Sequence, residues 1–193
     1  MTTPQKAISP AAELLSHKSI VLVGLMGSGK SSVGRRLATH LGMEFRDADT
    51  EIEEAAGMSI ADIFQLHGES EFRAGETRVI ARLLGEAPMV LATGGGAWMA
   101  EQTRAAVQET AISVWLDAEL DILMERVGRR SHRPLLQNND PKGTMQRLLE
   151  DRNPTYALAD VRVLSREVPH DVVVTEIVDA LTAHLGGDKG SAA

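Results

Sequence analysis

The chain has 193 residues, 43% of them apolar and only 3% aromatic, which fits one domain with an aliphatic core of the kind that parallel strands build beneath helices. A net charge of −7 argues against nucleic-acid or polybasic membrane partners, and the lack of any cysteine excludes disulfides and thiolate metal sites. No apolar run reaches the ~18 residues of a membrane span and no basic segment followed by an apolar stretch opens the chain, so a cytoplasmic protein is expected.

Residues 1–17 are small, polar and proline-containing and read as a flexible extension, with a helical turn over 12–15. One domain over 18–185 follows, and 186–193 read as a disordered tail. Residues 20–23 (IVLV) predict a short buried parallel strand, and Val33, Leu37 and Leu41 predict the inner stripe of a helix. Between them lies GLMGSGKS at 24–31, which fills the template G-x-x-x-x-G-K-[ST]. Strand, glycine loop and helix in that order point free backbone N–H groups and a helix dipole at an anion. Lys30 then reaches the β- and γ-phosphates of a nucleotide, and the Ser31 hydroxyl reaches the Mg²⁺ that bridges them.

Residues 43–47 predict a second strand, and a capping box at 50–53 predicts a helix from Thr50 to Gly57. Ser59 restarts a helix carrying Ile60, Ile63 and Phe64, and a longer one over 69–84 carries Phe72, Val79 and Leu83 inward. Gly75 inside that helix costs about 1 kcal/mol against alanine, which implies close packing or a nearby ligand. Strands are expected at 89–92, 111–116 and 161–164, with helices at 101–108, 118–127 and 144–151. Residues 128–142 have no periodicity and read as a lid. Pro169 opens a last helix with Val174, Ile177, Leu181 and Leu185 inward, although the valines at 172–174 favour a strand.

Alternating strands and helices imply a parallel sheet covered on both faces, with ligands at the carboxyl ends of the strands. Asp47 and Asp49 follow the second strand; two apart in extended chain, they point the same way, and suit a water-held metal and an acceptor hydroxyl. Thr93 and three glycines follow the third strand and let backbone N–H groups approach a substrate. Arg73 and Glu76 read equally as an exposed helical pair, and Arg152 as a surface arginine; an arginine excess around an acidic protein's pocket hints at an anionic substrate. Arg133, restrained by Pro134, suits a lid that delivers positive charge to the transferred phosphoryl.

Taken in order, GLMGSGKS at 24–31, FRDAD at 45–49, SIADIF at 59–64, EFRAGE at 71–76, TGGG at 93–96, RPLL at 133–136 and DRNPTY at 151–156 resemble the shikimate kinases, of the nucleoside-monophosphate-kinase-like group of P-loop kinases, over residues 19–185. The resemblance implies a three-layer α/β/α P-loop kinase fold with a five-stranded parallel sheet in the order 2-3-1-4-5 and a mobile lid. It implies ATP-dependent phosphorylation of the shikimate 3-hydroxyl, a step toward chorismate and the aromatic amino acids.

Asp49, Arg73, Gly95 and Arg152 would hold shikimate, the two arginines on its carboxylate, with Phe64 and Phe72 as walls. Gly27, Ser28, Gly29, Lys30, Ser31 and Ser32 would cradle ATP; Ser31, and Asp47 through water, would hold Mg²⁺. Asp49, Lys30 and Arg133 would be catalytic, with Arg133 also on the nucleotide. Arg166 and one of Arg129 or Arg130 would lie at the adenine, although SREVP at 165–169 departs from the Asp-Thr form looked for there. The expected partners are shikimate and ATP alone, with a monomeric enzyme. Two rival readings are a gluconate kinase on the same core, against which TGGG and EFRAGE speak, and a nucleotide-binding regulator without catalysis, against which Lys30, Ser31, Asp47, Asp49 and Arg133 speak together.

Overall fold

A computed structural model describes residues 17–129 and 139–187. Five strands, β1 (Ser19–Val23), β2 (Glu44–Asp47), β3 (Met89–Ala92), β4 (Ala111–Asp117) and β5 (Val161–Leu164), form one parallel sheet in the order β2-β3-β1-β4-β5. This is the expected topology. Every residue of β1 and β3 is buried, which is why both read as unbroken apolar runs. The edge strand β5 alternates buried and exposed residues.

Among the described residues seven α-helices cover the sheet: α1 (Lys30–Leu41), α2 (Ala48–Ala56), α3 (Ile60–Leu84), α4 (Glu101–Thr110), α5 (Leu120–Gly128), α6 (Pro141–Tyr156) and α7 (His170–Gly187). Alternation along β1 divides the core. Ile20 and Leu22 pack with Val33 and Leu37 of α1 and Ile177 and Leu181 of α7. Val21 and Val23 face the other way, toward Ile80 and Leu83 of α3, Leu123 of α5 and Tyr156 of α6.

Several expectations need correction. Helix α2 starts two residues before Thr50, because the Asp47 side chain accepts from the Asp49 N–H and caps it. Asp49 therefore stands in a helical first turn, not two residues along an extended chain. Ser59 does cap α3, accepting from the Asp62 N–H at 3.1 Å, and the break expected ahead of residue 69 is real: Gly68 has φ 79° and ψ 171°. Beyond it the inward residues are Phe72, Glu76, Ile80, Leu83 and Leu84, with Val79 only half-buried. Gly75 has no tight neighbour; a Cβ there would meet only Arg78 Nη2, at 3.9 Å.

Helix α6 is longer at both ends than 144–151, because Asp140 caps it through the Gly143 N–H and Pro141 occupies its first turn. The stretch 128–142 is thereby shortened: Gly128 ends α5, Pro141 begins α6, and residues 130–138 lie outside the described residues. Helix α7 absorbs the valines at 172–174 by burying Val173 and Val174, and it takes in Gly186 and Gly187, which read as tail.

Gly24 is where sheet and loop meet. Its φ is +136°, and a Cβ would stand 2.6 Å from the Leu116 carbonyl oxygen of β4. Neither a side chain nor a right-handed backbone fits without moving a central strand. Gly24→Ala is expected to lower the unfolding free energy by about 2 kcal/mol or more in urea titration; a loss under about 0.5 kcal/mol would show that the neighbouring strand yields freely.

Candidate active site

Register sets the site. Asp47 of β2 lies opposite Ala92 of β3, and Ala92 lies opposite Leu22 of β1. The three strands end level, so the residues that follow them, 24–29, 47–49 and 93–96, emerge side by side at one edge of the sheet.

The first of these turns is the glycine loop. Gly24, Gly27 and Gly29 all have positive φ, and Gly29 caps α1. The loop leads straight into a 12-residue helix, so the helix N-terminus and the loop's amides share one concavity. Lys30 opens that helix and turns its ammonium into the loop, donating to the carbonyls of Gly24 at 2.7 Å and Leu25 at 3.0 Å. Ser31 Oγ donates to Asp47 Oδ2 at 2.7 Å. The two residues expected at a metal are thus joined across the β1 and β2 turns.

The third turn is built by close approach. A Cβ on Gly94 would stand 2.8 Å from both Asp49 Oδ1 and Glu76 Oε1, so the two carboxylates face each other across that glycine. A Cβ on Gly96 would stand 2.6 Å from Arg73 Cζ. A side chain at either position would push these charged groups out of their present places. From the far side α6 reaches in: Arg152 Nη1 donates to the Gly95 carbonyl at 3.1 Å, and the Tyr156 hydroxyl donates to the same oxygen. Asp49, Arg73, Gly95 and Arg152, scattered along the sequence, therefore meet at one turn.

Arg73 and Glu76 are not the exposed pair that the sequence allowed. Glu76 is 1% exposed; its Oε2 accepts from Arg73 Nη1 at 2.6 Å, while its Oε1 is buried without a hydrogen-bond partner. Burial pushes the Glu76 carboxyl above its ordinary value and the charge on Asp49 adds to this, against Arg73 and Arg152. Burial likewise raises the Tyr156 hydroxyl to about 12. Phe64 and Phe72 pack on each other at 4.5 Å, but Phe64 is exposed and Phe72 faces an apolar hollow with Ile52, Met58 and Val79. Neither lines the main cleft.

That cleft has a volume of about 360 Å³ and runs from Asp49, Gly94 and Gly95 past Gly27, Gly29, Lys30, Ser31, Ser32 and Asp47 to Arg126, Arg129, Ser165, Arg166 and His170. Ser28 lies beneath the loop, fully buried. Arg166 lines the far end of the cleft, and its guanidinium is engaged by both carboxylate oxygens of Glu176. Arg130 and Arg133 lie outside the described residues.

Arg126 was missed. It donates to the Gly27 carbonyl, to Ser165 Oγ at 2.8 Å and to the Arg166 carbonyl at 2.9 Å, tying the glycine loop to the turn after β5. Three arginines lie within residues 126–130, and their spacing does not tell which one turns inward. His170 was missed as well; partial burial, with Arg36 and Arg126 nearby, holds its imidazole below the ordinary value and favours the neutral form.

The arrangement is that of a phosphoryl-transfer site: an anion cradle at one end, an acid and arginines around a glycine turn at the other. A family model described as shikimate kinase matches residues 26–182. The chain is 56% identical over 186 residues to a shikimate kinase of Bradyrhizobium diazoefficiens, covering 95% of this chain and 90% of that one. Its fold superposes on a shikimate kinase from Acinetobacter baumannii solved in complex with shikimate, with a TM-score of 0.84, 35% identity and coverage of 90% and 98%. A gluconokinase from Sinorhizobium meliloti shares the fold with a TM-score of 0.64, at 21% identity and coverage of 92% and 99%. With the family model spanning most of its length, the chain belongs to the shikimate kinase family.

Proposed function

We propose that this enzyme transfers the γ-phosphoryl group of ATP to the 3-hydroxyl of shikimate, giving shikimate 3-phosphate and ADP on the route to chorismate and the aromatic amino acids. The observation that carries this reading is the meeting of Asp49, Arg73 and Arg152 at the 93–96 turn, next to the glycine loop. A carboxylated polyol needs cationic partners for its acid group, an acceptor for the hydroxyl that reacts, and a triphosphate in line with that hydroxyl.

In this reading the loop amides, with Gly27, Ser28 and Gly29, hold the phosphates, and Lys30 swings from its own carbonyls to the β- and γ-oxygens. Arg73 and Arg152 grip the carboxylate, while the Gly95 backbone and Asp49 take the hydroxyls. The acceptor oxygen bonds to the γ-phosphorus as the bond to the bridging oxygen breaks, and Asp49 orients the acceptor and takes up its proton. Catalysis is mainly positioning and charge. Ser31 and Asp47 offer an oxygen donor pair at 2.7 Å, and the described residues contain no group of three or more candidate metal ligands. This sparse set fits Mg²⁺, which keeps several waters and leans on phosphate oxygens. Ser31, and Asp47 through water, would hold the ion, whose charge would offset that of the phosphates.

Arg126, Arg166 and His170 form the adenine end, and Arg133 adds positive charge for the transferred phosphoryl group. The unit spans 18–187 and works as a cytoplasmic monomer with small molecules alone; no helix among the described residues is long and apolar enough to cross a membrane.

The test is ADP release with MgATP and either shikimate, gluconate or no acceptor. Shikimate alone is expected to accelerate it; acceleration by gluconate, or ATP binding without turnover on any acceptor, contradicts the reading.

Glu76 supplies a second expected outcome. Its carboxyl is raised above the ordinary 4.5 by burial, so the folded chain binds more protons than the unfolded one between 4.5 and that raised value. Stability from this group is present below 4.5 and is lost as pH rises through the interval. Glu76→Gln removes the effect while keeping an acceptor for Arg73. Urea titrations at steps from pH 4.5 to 7.5 should show the variant gaining stability relative to the parent as pH rises; a difference that stays constant with pH contradicts the assignment.

A further inference from the structure

Helix α6 sends two donors to one acceptor. Arg152 Nη1 and the Tyr156 hydroxyl both donate to the Gly95 carbonyl, so both lone pairs of that oxygen are used. Trp98 Nε1 closes the same contact from the turn's side, donating to the Thr155 carbonyl at 3.0 Å. Packing alone does not require the Tyr156 hydroxyl. The ring is 1% exposed and stacks on Trp115 at 6.0 Å between centroids, a place that phenylalanine would fill without a polar atom to desolvate.

The geometry of the peptide gives the hydroxyl a task. The Gly95 carbonyl and the Gly96 N–H belong to one trans peptide and point in opposite directions. Holding the carbonyl on α6 therefore fixes where the Gly96 N–H points. Among the described residues no backbone carbonyl accepts a hydrogen bond from the Gly95 or Gly96 N–H; the turn closes instead through the N–H groups of Ala97 and Met99. Arg152 cannot be the permanent anchor if it also grips the substrate carboxylate. Tyr156 has no such second duty, and with its hydroxyl raised to about 12 it stays protonated at physiological pH.

We propose that Tyr156 is a positioning residue for the acceptor: its hydroxyl holds the Gly95 carbonyl, and with it the 93–96 turn, in the orientation that receives the carboxylated substrate while Arg152 is released to bind it. The inference rests on shikimate being that substrate.

Tyr156→Phe keeps the ring and removes the bond. Steady-state kinetics with each substrate varied in turn should show KM for shikimate rising about five- to tenfold, the loss of one buried hydrogen bond, with kcat and KM for ATP within about twofold of the parent. Trp115→Phe is the control for packing: it loosens the stack beneath Tyr156 but leaves the hydroxyl, and should lower Tm with KM for shikimate unchanged. A Tyr156→Phe enzyme whose shikimate KM stays within about twofold of the parent overturns the proposal, as does a Trp115→Phe enzyme that raises it equally, or a Tyr156→Phe enzyme in which both KM values rise together. A parent enzyme that shikimate does not accelerate overturns the functional reading and this inference with it; a responsive parent with an indifferent Tyr156→Phe variant overturns the inference alone.

Discussion

The level ending of β2, β3 and β1 is the constraint on which the rest depends. Asp47, Ala92 and Leu22 share one row of the sheet, and that row exists because parallel strands joined by covering helices must all finish at the same edge. What a residue can do then follows from how far past the row it lies. One step beyond Val23, the backbone has no room for a side chain at Gly24 and curls into an anion cradle. At the row itself, Asp47 meets Ser31 across the β1 and β2 turns. Two steps beyond Ala92, Gly94 lets two carboxylates approach. A slip of one residue between β2 and β3 would turn Asp47 to the opposite face of the sheet and separate it from Ser31.

The charges at the glycine turn are expensive to assemble. Glu76 is buried with one oxygen unpartnered, close to the carboxylate of Asp49 and held by a single strong contact to Arg73. A buried carboxylate with an unsatisfied oxygen, paired with a part-exposed arginine, is a poor source of stability. Its retention makes sense as preparation for a ligand, because an arginine already fixed by an inward carboxylate loses little freedom when it meets an anion. The nucleotide end is arranged on the same principle. Arg126 bonds two backbone carbonyls and a serine from separate turns, so it stiffens the cleft as well as lending it charge.

Strand positions, the glycine loop and the helix start at Ser59 were legible because each depends on residues close together in sequence, whereas the strand order came from the resemblance. Four-residue apolar runs, a G-x-x-x-x-G-K-S string and Ser59 ahead of Ile60, Ile63 and Phe64 carry their structure locally. Failures came where a contact decided that the residue types alone do not mark. The capping box at Thr50 lost to Asp47, whose side chain was already placed by β2. Val79 is half-buried, and Ile80 takes the inward position beside Leu83. Glu76 could not be told from a surface residue, since its burial depends on Gly94 and Asp49. Arg126 and Tyr156 escaped notice because both act on backbone carbonyls, of Gly27 and Arg166 in one case and of Gly95 in the other, and a carbonyl leaves no mark in a sequence.

The central claim is that a triphosphate and a carboxylated ring meet end to end above the row formed by β1, β2 and β3. A crystal structure of the protein with MgADP and shikimate together tests it most directly. The account predicts the ring's carboxylate between Arg73 and Arg152, its 3-hydroxyl on Asp49, and the diphosphate in the loop over Lys30. A ring bound elsewhere, with Asp49 and Arg73 out of its reach, would contradict it.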